Sequence, residues 1–175
     1  MTPARCENRL LHLGITLAVA IDLCLPESAA RSRQAEQRTV VTVPEAPVHK
    51  DDRFVFVLMG DGEQQEGQVW EAAMYAAHNK MDNVIATIDY NGQQIDGPVN
   101  KILNLLDLKA KWESFGWEVI DSNGNDMAEI VNALEYAMTQ AKKGKPVLNL
   151  MKTEMGFGVD YMMGSHKWHG VAPND

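Results

Sequence analysis

Two apolar runs in this chain end in a way that few folds accommodate. Phe54-Val55-Phe56-Val57-Leu58-Met59 leads straight into Gly60-Asp61-Gly62, and Val84-Ile85-Ala86-Thr87-Ile88 leads into Asp89-Tyr90-Asn91-Gly92. Between them, Gly67–Asn79 carries Val69, Ala72, Ala73, Ala76 and Ala77 at helical spacing. Strand, helix and strand in that order predict a parallel βαβ unit. Open α/β sheets bind ligands just past the carboxyl ends of their strands, which is where Asp61 and Asn91 fall. One carboxylate and one amide oxygen make a sparse set for a hard cation. Mg²⁺ accepts such a set when a ligand's phosphates and water complete the octahedron. The pair therefore predicts a metal held together with a diphosphate.

The alternation continues. Asn91–Pro98 reads as a turn-rich loop, Leu103–Leu108 and Ala110–Phe115 as short helices, and Trp117–Ile120 as a third strand. Met127–Lys142 reads as a helix with Ile130, Val131, Leu134 and Met138 on one side, capped by Asp126 and ended by Gly144 and Pro146. Val147–Met151 is a fourth strand. The unbroken apolarity of Phe54–Met59 predicts a strand buried on both faces. Trp112, Trp117 and the methionines read as core or interface, and His78 as structural. The stretch from Thr153 onward carries four glycines and two histidines and reads as a site loop.

Residues 1–50 are different in kind. Every Phe, Tyr and Trp lies at or beyond Phe54, and every Gly except Gly14 at or beyond Gly60. The first fifty residues carry a net charge of +1 and the remainder −9. They read as a loosely ordered extension, or as sequence foreign to the domain at 51–175, with one short strand at Thr39–Val43. The apolar stretch Leu10–Leu25 faintly resembles an export signal, but His12 and Asp22 interrupt it and Glu7 offsets an arginine. It is also too short and broken for a membrane span. Cys6 and Cys24 are too few for a disulfide framework and match no metal spacing, so they read as free thiols in a reducing, cytoplasmic compartment. A net charge of −8 without a basic cluster excludes a nucleic-acid footprint and an acidic membrane surface.

Gly60 and Gly62 let the backbone turn sharply and approach a phosphate, and the N–H groups beyond Asp61 lead toward a helix start that suits an anion. Asp-Gly is also a common turn pair. The strand before it and the second strand-end amide favour the site reading.

The run Gly60-Asp61-Gly62-Glu63-Gln64-Gln65-Glu66-Gly67, followed by Asn91 and by Ile95-Asp96-Gly97, resembles the thiamine-diphosphate motif of transketolases. Gly156-Phe157-Gly158 and Gly164-Ser165-His166-Lys167-Trp168-His169-Gly170 resemble that family's loop over the cofactor. The resemblance covers residues 51–175 and is closest to the amino-terminal subunit of split transketolases. It implies a three-layer α/β thiamine-diphosphate-binding fold, a mostly parallel sheet flanked by helices. It also implies transfer of a two-carbon ketol unit between ketose and aldose phosphates, as in the pentose phosphate pathway.

The resemblance further implies roles residue by residue. Asp61, the Asn91 side chain and the Gln93 main-chain carbonyl would hold Mg²⁺ or Ca²⁺. Gly60, Gly62 and Asn91 would meet the diphosphate of thiamine diphosphate, and Ile95, read as buried in any case, would pack against the cofactor. His166 would reach the diphosphate and the substrate, and Glu66 would join an interface network linking paired active sites. The glutamate that activates the cofactor's ring belongs to a pyrimidine-domain partner, so activity is expected only in a hetero-oligomer. Glu66 has a plainer reading as a solvated acid at a helix start, and His166 and His169 as ordinary loop residues. The family's upstream Gly-Pro-Leu-Gly-Gln-Gly segment and histidines have no counterpart in residues 1–50, and His12 and His49 take no role. Two further readings stand beside the first. One is another thiamine-diphosphate enzyme, a 2-oxo-acid dehydrogenase α chain or a deoxyxylulose-phosphate synthase. The other is a truncated, non-catalytic domain that binds a partner.

Overall fold

The computed structural model describes residues 15–17 and 54–172. The proposed strand at Thr39–Val43, and nearly all of the segment read as an extension, lie outside the described residues.

Among the described residues five strands form the main sheet: β1 (Ile15–Leu17), β2 (Phe54–Gly60), β3 (Val84–Tyr90), β6 (Glu118–Asn123) and β7 (Val147–Lys152). Their spatial order is β1-β2-β3-β7-β6, and every pairing is parallel. Two-residue strands β4 (Gln93–Gln94) and β5 (Gly97–Pro98) form a separate antiparallel hairpin where the sequence suggested only a loop. The helices are α1 (Gly67–His78), α2 (Val99–Ile102), α3 (Leu108–Ser114) and α4 (Met127–Gln140).

Period-two alternation along the strands separates two cores. On one face Val84, Ala86, Ile88, Leu148 and Leu150 meet Val69, Ala73 and Ala76 of α1 and Leu108 and Trp112 of α3. On the other, Ile85 and Val147 meet Ala137 of α4 and Ala141 just beyond it. The result is helix, sheet and helix, the three-layer α/β arrangement expected. The alanines of α1 bring that helix close to the sheet, and Trp117 fills the junction, donating its indole N–H to the Ala73 carbonyl at 3.0 Å. Trp112 stacks edge-on against Trp117, with ring centroids 4.8 Å apart. Both tryptophans are core residues, as expected.

Four expectations need correction. β2 is not buried on both faces: Val55 and Met59 are buried, but Leu58 is 59% exposed. The doubly buried strands are β3 and β7, which have a neighbour on each side and helices above and below. Val131 points outward from α4, which turns Ala137 inward instead. The two short helices fall at Val99–Ile102 and Leu108–Ser114, with Leu103–Asp107 irregular between them. Leu106 there has a positive φ of 54°, and the Asp107 carboxylate caps α3 by accepting from the Ala110 N–H. Ile95 is 52% exposed, because it sits at the tip of the β4–β5 hairpin, beyond the reach of either core.

The parallel register is what assembles a site. Gly60 lies opposite Asp89, Asp89 opposite Met151, and Asn123 and Tyr90 opposite Lys152. Four strand ends thus finish at one edge, and the residues that follow them share that edge.

Candidate functional site

Asp61 leaves β2 into a 3-10 turn, Gly62–Gln65, that runs into α1. Its side chain is almost fully buried, at 1% exposure. Its N–H donates to the Asp89 carbonyl at 3.2 Å, which continues the β2–β3 pairing one residue further. Its carboxylate accepts from the Gly92 N–H. Gly92 makes that contact at a φ of +74°, a conformation glycine adopts without strain. Burial pushes the Asp61 carboxyl up from 3.8 to about 6, against the lowering effect of the Gly92 N–H, while the nearby Asp89 charge raises it further. Among the described residues no basic side chain offsets the burial.

Asn91, one residue past β3, is held at both ends of its amide. Its Nδ2 donates to Asp89 Oδ2 at 3.0 Å, and its Oδ1 accepts from the Gln93 N–H at 2.8 Å. Asp89 is in turn held by the Thr153 hydroxyl, which donates to its other carboxylate oxygen. The hairpin is fixed against the turn after β2 by Gln65, whose amide donates to Gln94 Oε1 at 2.8 Å and to the Leu103 carbonyl at 2.9 Å. A methyl group on Gly62 would come within 3.2 Å of Gln94, so this glycine lets the two loops close on each other.

Asp61, Gly62, Gln65, Asp89, Asn91, Gln93 and Gln94 help wall an open cleft of about 950 Å³. Gly60, Asp61, Gly62, Glu66, Asn91, Gln93 and Ile95 all line it, so seven of the eight proposed site residues converge there. His166 is not among its walls; His169 is. The glycine-rich loop turns through a 3-10 turn at His166–Trp168, and this carries His169 rather than His166 to the cleft. Glu63 also lines it, and its carboxylate accepts from the Gly60 N–H. Burial raises the Glu63 carboxyl above its ordinary value. Glu66 is half-buried at the start of α1 and accepts from the Gln68 amide at 2.6 Å. A second cavity of about 610 Å³ lies beside the first, lined by Asn91, Gln93, Leu106, Asn123, Lys152 and Thr153.

Reading the sequence alone overlooks Asp89 and Thr153. The clue is present: an ionisable side chain closing an apolar strand needs a partner, and Asp89 has two.

The donor set suits a hard cation shared with a phosphate. Among the described residues no cluster of three His, Cys, Asp or Glu side chains could form a metal cage of protein groups alone. A buried carboxylate beside an oriented amide oxygen fits Mg²⁺, which binds through few protein groups and keeps water or phosphate in the remaining positions. Among the described residues no helix is long and apolar enough to cross a membrane.

Comparisons with known proteins agree with this geometry. The sequence profile of a family described as "Transketolase, thiamine diphosphate binding domain" matches residues 25–175. That match begins inside the segment read as an extension. The chain thus belongs to the transketolase family and carries its thiamine-diphosphate-binding domain. It is 40% identical over 128 residues to one of the subunits of the apulose-4-phosphate transketolase of Phocaeicola vulgatus, covering 73% of this chain and 45% of that one. It is 41% identical over 117 residues to 6-deoxy-6-sulfo-D-fructose transketolase subunit SqwG of a Clostridium species, covering 67% and 42%. A crystal structure of Campylobacter jejuni transketolase superposes with a TM-score of 0.61 at 40% identity, over 66% of this chain and 18% of that one. The chain spans less than half the length of the curated relatives it matches here.

Proposed function

We propose that this chain is the amino-terminal, diphosphate-anchoring subunit of a split transketolase. Such an enzyme transfers a two-carbon ketol unit from a ketose phosphate to an aldose phosphate. The observation that carries the reading is the pairing of buried Asp61 with the doubly held Asn91 amide at adjacent strand ends, in one cleft with Gly62 and Ile95. Asp61, Asn91 Oδ1 and the Gln93 carbonyl hold Mg²⁺ or Ca²⁺. The Gly62 N–H and Asn91 meet the diphosphate, and the exposed Ile95 side chain offers an apolar rest for the cofactor. Thiamine diphosphate, when bound, supplies the carbanion and the electron sink; the protein supplies orientation and electrostatics. Glu66 belongs to the interface between paired sites. His166 is assigned to substrate, and His169, which lines the cleft, contends for the same role.

The naming of two relatives as transketolase subunits supports a partner chain that brings the pyrimidine domain and the ring-activating glutamate. The sugar phosphates, cytoplasmic placement and oligomeric order belong to this same reading.

Calorimetry of the full chain with thiamine diphosphate and Mg²⁺, alone and with the pyrimidine-domain subunit, tests it. Binding that needs Mg²⁺ is expected, and the Asp61→Ala variant is expected to lose at least about a hundredfold in affinity, the upper end of what loss of a mere outer partner of a metal ligand costs. Release of CO₂ from pyruvate by the assembled enzyme, without ketose-phosphate turnover, would overturn the transketolase assignment in favour of another thiamine-diphosphate reaction.

A further inference from the structure

We infer that Asp89 is a positioning residue: it fixes which end of the Asn91 side chain faces the cation, and Thr153 holds it in place to do so. The consequence for cation binding rests on the function proposed above; the orientation itself does not.

A side-chain amide is nearly symmetrical in shape but not in chemistry. One end donates two hydrogen bonds and the other accepts. At Asn91 the surroundings read that difference twice. Asp89 Oδ2, an acceptor, lies 3.0 Å from Nδ2, and the Gln93 N–H, a donor, lies 2.8 Å from Oδ1. Turning the amide over would set oxygen against carboxylate and NH₂ against N–H, so both contacts would become repulsive. Of the two partners, only Asp89 is a charged side chain, and charge-assisted hydrogen bonds are roughly twice as strong as neutral ones. The Gln93 N–H uses one lone pair of Oδ1 and leaves the other for a ligand.

Asp89 is fixed in turn. Its backbone is in register with Gly60 and Met151, its carbonyl receives the Asp61 N–H at 3.2 Å, and its Oδ1 receives the Thr153 hydroxyl. The Thr153 N–H donates to the Tyr90 carbonyl, so the tether comes from the end of β7, a different strand. Three strand ends, β2, β3 and β7, thus converge on the orientation of one amide.

The test uses the full chain and two readouts. In ¹⁵N-labelled protein without metal, the Asn91 side-chain NH₂ signal, identified by its loss in Asn91→Asp, is expected to shift toward the position of a free amide in Asp89→Ala. A smaller shift in the same direction is expected in Thr153→Val, which keeps the side chain's shape and preserves the test should Asp89→Ala fail to fold. An Asn91 signal unmoved in both variants overturns the inference.

The second readout is calorimetry with Mg²⁺ and thiamine diphosphate. Asp89→Ala is expected to weaken binding by about tenfold or more, the scale seen when the outer partner of a metal ligand is removed. Asn91→Asp alone is expected to weaken it too, because two carboxylates then face each other. The double variant Asp89→Ala/Asn91→Asp is expected to lose less than the two single losses combined, since the facing carboxylates are gone and a carboxylate presents oxygen whichever way it turns. Losses that simply add in the double variant would mark Asp89 as structural only and overturn the role assigned to it. An unaltered chain that binds no Mg²⁺ and thiamine diphosphate counts against the proposed function, while the NMR readout still decides the orientation.

Discussion

At the scale of single residues, Asp61 sets binding against stability. Opposed effects meet on its carboxyl: burial, and to a lesser degree the Asp89 charge, raise its pKa, while the Gly92 and Gly62 N–H groups lower it. Burial wins, and the value rises from 3.8 to about 6. A group with a folded-state pKa above its unfolded one favours folding in the protonated form. That contribution is complete below pH 3.8 and is lost as pH rises through about 6. At pH 7 the ionised group therefore opposes folding of the metal-free chain. Asp61→Asn is expected to raise stability in urea unfolding at pH 7 by about 1–2 kcal/mol after allowance for solvent screening, with the gain disappearing below pH 4. The same variant is expected to lose Mg²⁺-dependent cofactor binding. In the unaltered chain that binding should weaken as pH falls below 6, because a proton then competes with the cation for the carboxylate. A metal-free Asp61→Asn protein less stable than its parent at pH 7 would contradict the account.

At the scale of elements, the strand ends are precise only because α1 and α3 hold the sheet from one side, and two tryptophans carry that packing differently. Both are buried, but the Trp117 indole N–H donates to the Ala73 carbonyl, while Trp112 Nε1 has no hydrogen-bond partner among the described residues. Replacing either with Phe removes similar volume, so the difference lies in the hydrogen bond. Trp117→Phe is expected to cost about 1 kcal/mol more than Trp112→Phe in urea unfolding, and equal losses would remove the hydrogen bond's role. This packing also shows what is legible in the sequence. β3, β7, α1 and α4 are readable because period and apolarity coincide over whole elements, and the strand-end positions of Asp61 and Asn91 follow from them. What depends on a distant neighbour is not readable. Leu58 looks like core until the described helices prove not to cover it, and Ile95 looks buried until the hairpin places it at a tip. Val131 satisfies the helical period, yet α4 rotates so that Ala137 takes the inner position. Which histidine reaches the cleft depends on one 3-10 turn in a loop without periodicity.

At the scale of the whole molecule, the carboxyl edge carries exposed apolar side chains beside its polar cleft. Ile95 is 52% exposed, Leu103 56% and Leu106 72%, all on the segment that follows Asn91. Exposed apolar side chains gathered near a site mark a contact surface more readily than they mark a free one. The proposed pyrimidine-domain subunit has to reach this same edge to bring its glutamate to the cofactor, so these leucines are the natural contacts. Leu106 makes the case testable without harm to the fold. Its φ of +54° strains a leucine, and aspartate tolerates that region better, so Leu106→Asp adds charge at the edge while relieving the backbone. Leu106→Asp is expected to weaken association with the partner by about tenfold or more in sedimentation or surface-binding measurements, with melting temperature unchanged or raised. Val131→Asp, on the outward side of α4, is the control and is expected to leave association unaltered. Equal effects of the two charges would point to a general electrostatic penalty rather than a local contact. An effect confined to Leu106 would place the partner at the strand ends, beside Asp61 and Asn91.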